Sequence, residues 1–213
     1  DNINIKKQGK NTVRLPMYYR NVMEGPDDAI EKKEDAIERV DWFLEMAKKH
    51  GLFVILDMHG VVGGQSGFEH SGTRDREFWD NEVYQQEMCT LWKNIALHYI
   101  NDRPDLAYTI LAYDLVNEPA TATKPTGKTE WNVMDKMYDA IREVDKEHII
   151  SIEGVWYFNS LPDPKDYGWE NVLYQGHFYN WNNPTISFET FYTLMWQTLS
   201  MADYDVPRYI GEF

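Results

Sequence analysis

The chain has one cysteine in 213 residues, so no disulfide closes within it and the fold must rest on its core. Cys89 falls where a helix would bury it and reads as an inert core thiol. Cations are scarce as well: 21 Lys and Arg stand against 35 Asp and Glu, a net charge of −14. That balance argues against nucleic acid as a partner, because binding it depends on Lys and Arg neutralising phosphates. No apolar run approaches the roughly 18 residues a membrane span needs. The opening Asp1-Asn2-Ile3-Asn4-Ile5-Lys6-Lys7 lacks the basic-then-apolar order of a secretion signal. Repeats and low-complexity tracts are missing, and residues 1–213 read as one domain, with 43% hydrophobic content to build a core.

Aromatic residues are plentiful, with eight Trp and fourteen Tyr, and several cluster in loop-like stretches such as Trp156-Tyr157-Phe158 and Phe178-Tyr179-Asn180-Trp181. Pyranose rings present flat C–H faces that pack on aromatic faces, which makes Tyr179 and Trp181 candidate sugar contacts; core and surface filling is the plainer reading of any single ring.

Strand-like and helical patterns alternate. Val13-Arg14-Leu15-Pro16 precedes a helix in which Ala36, Ile37, Val40, Phe43, Leu44 and Ala47 recur at helical spacing up to His50-Gly51. Phe53-Val54-Ile55-Leu56 is a continuous apolar run suited to a strand buried on both faces. A second helix, capped by Asp80 or Asn81, carries Tyr84, Met88, Leu91, Ile95 and Tyr99. Then come a strand at Ile110 to Val116, a helix through Trp131, Met134, Tyr138, Ile141 and Val144, strands at Ile149-Ile150-Ser151-Ile152 and Val172-Leu173-Tyr174, a helix from Phe188 to Met201, and a strand at Tyr209-Ile210. This order implies right-handed crossovers and a parallel sheet, closing naturally as an α/β TIM (β/α)8 barrel. Such a barrel takes about 250 residues. The expectation is therefore an incomplete barrel of about six βα units, lacking the first strand and the C-terminal units.

Two of the strand-like runs end in glutamates. Asp114-Leu115-Val116-Asn117-Glu118-Pro119 closes one and Arg208-Tyr209-Ile210-Gly211-Glu212 another, 94 positions later (212 − 118). Parallel barrel strands end at one face, so the two carboxyls are expected to converge there. Two converging carboxyls are the minimum equipment for cleaving a glycosidic bond. Glu153, ending Ile152-Glu153-Gly154, is a third carboxylate at the same rim and reads as a hydrogen-bonded support.

These strand ends resemble glycoside hydrolase family 5, the cellulase-like retaining barrel enzymes, over essentially the whole stretch from Arg14 to Phe213. Asn117-Glu118-Pro119 is similar to the family's fourth-strand motif. The resemblance implies that Glu118 is the acid/base, held protonated near neutrality, and that Asn117 contacts the sugar 2-hydroxyl. Gly211-Glu212-Phe213 resembles the seventh-strand motif and implies that Glu212 is the nucleophile. By the same resemblance Arg14 pairs with the nucleophilic carboxylate, His59 in Leu56-Asp57-Met58-His59-Gly60 lies against the −1 sugar, and His177 and Tyr179 tune the two carboxyls. The family's eighth-strand tryptophan has no counterpart in the sequence. His50, His70, His98 and His148 match no position of the pattern; His50 and His148 read as helix-end residues beside carbonyls.

The resemblance implies a β-linked glucan as substrate, β-1,4 or mixed-linkage, cleaved by double displacement without cofactor or metal, by a monomer acting outside the cell. A β-1,3-glucanase, a mannanase and a non-catalytic sugar-binding fragment stand as alternatives. A metal-dependent hydrolase is prompted by Asp57-x-His59, but no second histidine comes within two residues. The glycine-dense segment Gly60 to Gly72 reads either as a surface excursion or as a loop whose backbone approaches the ligand, similar to loops of family members acting on β-1,3-glucans.

Overall fold

The structure is a computed structural model and describes residues 2–24, 31–32, 36–120, 128–154, 158–180, 185–201 and 204–213. Six parallel strands run in sequence order: β1 (Thr12–Tyr18), β2 (Phe53–Gly60), β3 (Ile110–Asp114), β4 (Ile149–Glu153), β5 (Val172–His177) and β6 (Arg208–Glu212). Each strand pairs with its successor, and four of the five crossovers carry a long helix: α1 (Ala36–Lys49), α2 (Glu82–Leu97), α3 (Lys128–Arg142) and α4 (Phe188–Leu199). This is the expected incomplete (β/α)8 barrel. Features not anticipated include short helices at Asn2–Lys7, Tyr19–Val22, Pro104–Ala107 and Pro164–Tyr167, a short antiparallel ribbon, Met23–Glu24 with Glu31–Lys32, and a π-helical extension of α2 over His98–Asp102.

Local chemistry explains the element ends. Asn81 caps α2, its side chain accepting from the Val83 and Tyr84 amides, and Ser187 caps α4 through the Thr190 amide. Gly51 takes φ +64° directly after α1, the left-handed turn that stops a helix. β2 is buried through Val54–Met58, as its unbroken apolar run requires in a sheet covered on both faces.

The outer core packs Leu44 and Ala47 of α1, Met88, Trp92 and Ile95 of α2, and Met134, Met137 and Ile141 of α3 against the sheet. Each Leu, Ile or Met among them contributes about 1.5–3 kcal/mol by leaving water. Cys89 sits in this core, and burial pushes its thiol up to about 11, which leaves it protonated and inert. α4 is different: Phe188 is 79% and Trp196 53% exposed, and its buried residue is Thr198. Because all six strands run the same way, Gly60, Glu153, His177 and Glu212 end at one rim.

Candidate active site

Arg14, midway along β1, is the hub beneath that rim. Its Nε donates to Asp114 Oδ2 at 2.8 Å, Nη1 to Glu212 Oε1 at 2.8 Å and Nη2 to Asn117 Oδ1 at 2.8 Å. Asp57 Oδ1 lies 3.0 Å from Nη2. A planar guanidinium with five donors in a rigid fork suits this convergence of strands in a way an ammonium would not. Burial works against the Arg14 charge, but Asp114 and Asp57 outweigh it, and its pKa moves further up. Asp57 also accepts from His59 Nδ1 at 2.8 Å, which anchors that ring at the rim and raises its pKa.

Glu118 takes φ +43°, a region few residues other than glycine occupy. Its amide donates to Glu153 Oε2 at 2.7 Å, tying this strained turn to the next strand. Glu153 is buried, and desolvation pushes its carboxyl up to about 8. Gln175 bridges the layer: its Nε2 donates to Glu153 Oε2 at 3.0 Å and faces His177 Nε2 at 3.4 Å, while its Oε1 accepts from the Tyr209 hydroxyl. Gly211 leaves room for it, since a Cβ there would lie 2.6 Å from Gln175 Cδ. Glu153 thus holds the supporting position that its place in the sequence indicated.

The two rim glutamates meet across His177. His177 Nδ1 lies 2.9 Å from Glu118 Oε1 and 3.7 Å from Glu212 Oε2, and one oxygen of each glutamate falls within 4.8 Å of the other. Tyr179 donates to Glu212 Oε2 at 2.5 Å. Burial alone would raise the Glu212 carboxyl, but the Tyr179 hydrogen bond and the His177 and Arg14 charges outweigh it, so the group stays ionised.

Glu118 departs from expectation. Burial raises its carboxyl, as anticipated, yet the hydrogen bond from His177 and the charges on His70 and His177 reverse the sign, and its pKa is lowered. The sequence assigns His177 a tuning part but none to His70, whose Nε2 lies 2.9 Å from Glu118 Oε2.

The glycine-dense segment is no loose excursion. Gln65 is fully buried; its Nε2 donates to the His59 and Asn117 carbonyls at 2.9 Å each, and its Oε1 accepts from the Val61 amide at 3.2 Å. Trp79 Nε1 donates to the Gln65 carbonyl at 2.8 Å and to that of Ala120 at 3.1 Å. Gly60 permits the fold-back, as a Cβ there would sit 2.8 Å from the Ser71 carbonyl oxygen. The segment so fastened carries His70 to the rim, stacked on Phe68 at 5.9 Å.

A cleft of about 620 Å³ opens over these groups, lined by Phe68, His70, Glu118, Glu153, His177, Phe178 and Tyr179 among others. Its volume fits a few sugar rings, and its apolar wall with few polar groups is the usual character of a ligand site. Arg14, Asn117, Glu212 and Tyr179 form one hydrogen-bonded network, with His59 joined through Asp57; the Glu118–His177 pair meets it where His177 Nδ1 comes within 3.7 Å of Glu212 Oε2, and Trp181 lies outside the described residues. Glu118, His177 and Glu212 have the spacing of a cation site. Their ligand atoms are already spent on one another and on Arg14, whose positive charge on Glu212 opposes a second cation.

His148 lies beside a carbonyl as expected but directly before β4 and not at a helix end: its Nε2 lies 2.8 Å from the Ala107 carbonyl and its Nδ1 2.5 Å from Asp145. His98 likewise serves Asp41 and Asp102, away from the cleft.

The family model for cellulase, glycosyl hydrolase family 5, matches residues 2–213. The chain belongs to that family. A β-xylosidase of Phanerodontia chrysosporium is 31% identical over 180 residues, covering 82% of this chain and 36% of the relative. Endoglucanase C of Acetivibrio thermocellus is 29% identical over 212 residues, covering 98% and 56%. The chain therefore spans between a third and somewhat over half the length of these relatives. Among solved structures, rutinosidase from Aspergillus niger superposes with TM-score 0.78 at 13% identity, covering 99% of this chain and 63% of that one. Endo-glycoceramidase II from Rhodococcus superposes with TM-score 0.73 at 18% identity, covering 100% and 61%. At these identities the likeness concerns the fold.

Proposed function

We propose that this chain carries the catalytic centre of a retaining glycoside hydrolase acting on β-linked glucans, with Glu212 as nucleophile and Glu118 as acid/base. Glu212 attacks the anomeric carbon as the glycosidic C–O bond breaks, and the leaving oxygen takes a proton from Glu118. Water then attacks the same carbon, gives its proton to Glu118 and frees Glu212, so configuration is retained. The carrying observation is that carboxylate oxygens of Glu118 and Glu212 lie within 4.8 Å of one another. Retaining pairs stand about 5–5.5 Å apart, whereas inverting pairs need about 6.5–9.5 Å to admit a water between them.

The electrostatics at Glu212 support its part as nucleophile. Glu212 faces Arg14 and Tyr179, which favour the ionised form a nucleophile needs. Asn117 Oδ1 is held by Arg14 while its Nδ2 has no hydrogen-bond partner among the described residues, so a substrate 2-hydroxyl would satisfy a donor that is costly to leave bare. Tyr179 and His59 complete the sugar contacts, with Trp181 assigned beside them from sequence. β-1,4 and mixed-linkage glucans are favoured by the relatives named endoglucanase C and cellodextrinase A. A β-1,3 preference has its own support in the glucan 1,3-beta-glucosidase of Kluyveromyces lactis, 27% identical over 187 residues.

Hydrolysis of barley β-glucan, carboxymethyl cellulose, laminarin and mannan by wild type, Glu118→Gln and Glu212→Gln tests the reading. Both variants should lose at least about a hundredfold on whichever glucan the wild type cleaves. A variant within tenfold of wild type would end the assignment of that residue.

A further inference from the structure

We infer that His70 is a positioning residue for general acid catalysis, holding the transferable proton at the Oε2 edge of Glu118. The inference rests on the acid/base reading of Glu118. Its starting point is that the two oxygens of Glu118 are not equivalent. Oε1 faces His177 Nδ1 at 2.9 Å. On the other side of that ring, Nε2 meets the amide nitrogen of Gln175, whose orientation is set by Glu153 on Nε2 and Tyr209 on Oε1. An amide N–H only donates, so a neutral His177 keeps its proton on Nδ1, and a charged His177 carries one there too. In either form Nδ1–H donates to Oε1, which is thereby an acceptor and poorly placed to bear the acid proton.

Oε2 is left, and it lies 2.9 Å from His70 Nε2. His70 is two-thirds covered and reaches the site from the glycine-dense loop, backed by Phe68 stacked at 5.9 Å and by the edge of His59 at 6.3 Å. Both Glu118 and His70 line the cleft, so the Oε2–Nε2 contact stands at its wall. One proton shared between these atoms serves the whole cycle. It passes through Oε2 to the leaving oxygen as the glycosidic bond breaks; the water that enters next returns a proton to Oε2, and the pair regains its starting state.

The test is leaving-group dependence in the full chain. Wild type, His70→Leu and His70→Gln are compared on 2,4-dinitrophenyl and phenyl β-cellobioside, the first leaving group departing without a proton and the second requiring one. His70→Leu should lose about tenfold or more in kcat on the phenyl substrate and stay within about twofold on the dinitrophenyl substrate, with KM little changed on either. His70→Gln, whose amide still reaches Oε2, should recover part of the loss and stands in if the leucine variant does not fold. Equal losses on both substrates, or none on either, would overturn the role given to His70. Glu212→Gln should be inactive on both substrates; cleavage of the dinitrophenyl substrate by Glu212→Gln would instead defeat the functional reading itself, whatever His70 does.

Discussion

Replacing Arg14 by methionine removes the charge while keeping most of the side chain's length, and the carboxylates around it set the cost. Asp57 and Asp114 are fully buried around the guanidinium, and the Arg14 side chain is itself only 12% exposed. At about 4 Å between charge centres and an effective dielectric of about 20, each ion pair is worth about 4 kcal/mol. Part of that offsets the desolvation of the three groups, so the expected net loss on removing one partner of a buried pair is about 3–5 kcal/mol. The loss should depend on pH. The Asp57 carboxyl is already pushed up to about 6, burial being the largest cause, while Arg14 and His59 hold it down. An unfolded Asp titrates near 3.9. Between about pH 4 and 6 the native state therefore binds more protons than the unfolded state, and stability falls as pH rises. Without Arg14 the folded pKa climbs further and the falling window extends above pH 6. Urea unfolding at pH 5 and pH 8 reads the effect: Arg14→Met should be further below wild type at pH 8 than at pH 5. A loss under about 1 kcal/mol at pH 8, or an equal loss at both pH values, would refute the reasoning.

Other outcomes rest on single contacts. Gln65→Leu strips partners from the His59 and Asn117 carbonyls and the Val61 amide and should cost about 2–4 kcal/mol in urea unfolding, since unsatisfied buried groups cost about 1–3 kcal/mol each and partly relax. Tyr179→Phe removes a donor that helps keep Glu212 ionised; the Glu212 pKa should rise and the acid limb of the kcat/KM profile move to higher pH. Glu153, at about 8 when folded, binds a proton that the unfolded chain has already lost, so it contributes a fall in stability from about pH 4.3 to pH 8. Glu153→Gln keeps an acceptor for the Glu118 amide and should flatten that slope, as thermal unfolding across the range would show.

Two kinds of information separate what the sequence disclosed from what it withheld. Periodicity and strand-end chemistry are local, and they located the sheet order, the helices and the rim glutamates, because each needs only neighbouring residues to be legible. Asp57 and Asp114 lay inside the same apolar runs, and a charge within a strand buried on both faces demands a partner. That demand was readable at once, but the identity of the partner was not: Arg14 lies 43 and 100 positions away (57 − 14 and 114 − 14). His70 was harder still. It occupies no strand end, and only the fold-back of the loop over Gly60, fixed by Gln65 and Trp79, brings its ring to Glu118.

The same distinction explains the reversed sign at Glu118. From sequence, burial and a second carboxylate both raise its carboxyl pKa, and the one histidine assigned to tune it, His177, carries no sign until its geometry is known. The decisive groups are two imidazoles, one from the end of β5 and one from the loop after β2, each 2.9 Å from an oxygen of Glu118. Desolvation comes with a place at the mouth of any barrel, whereas a hydrogen bond depends on where one atom of a distant side chain comes to rest. Protonation at this site is therefore governed by the strand-end His177 first and by the loop's His70 beside it. Variation in the Gly60 to Gly72 loop is thus a route by which this scaffold can adjust its acid step while leaving the Arg14–Glu212 pair untouched.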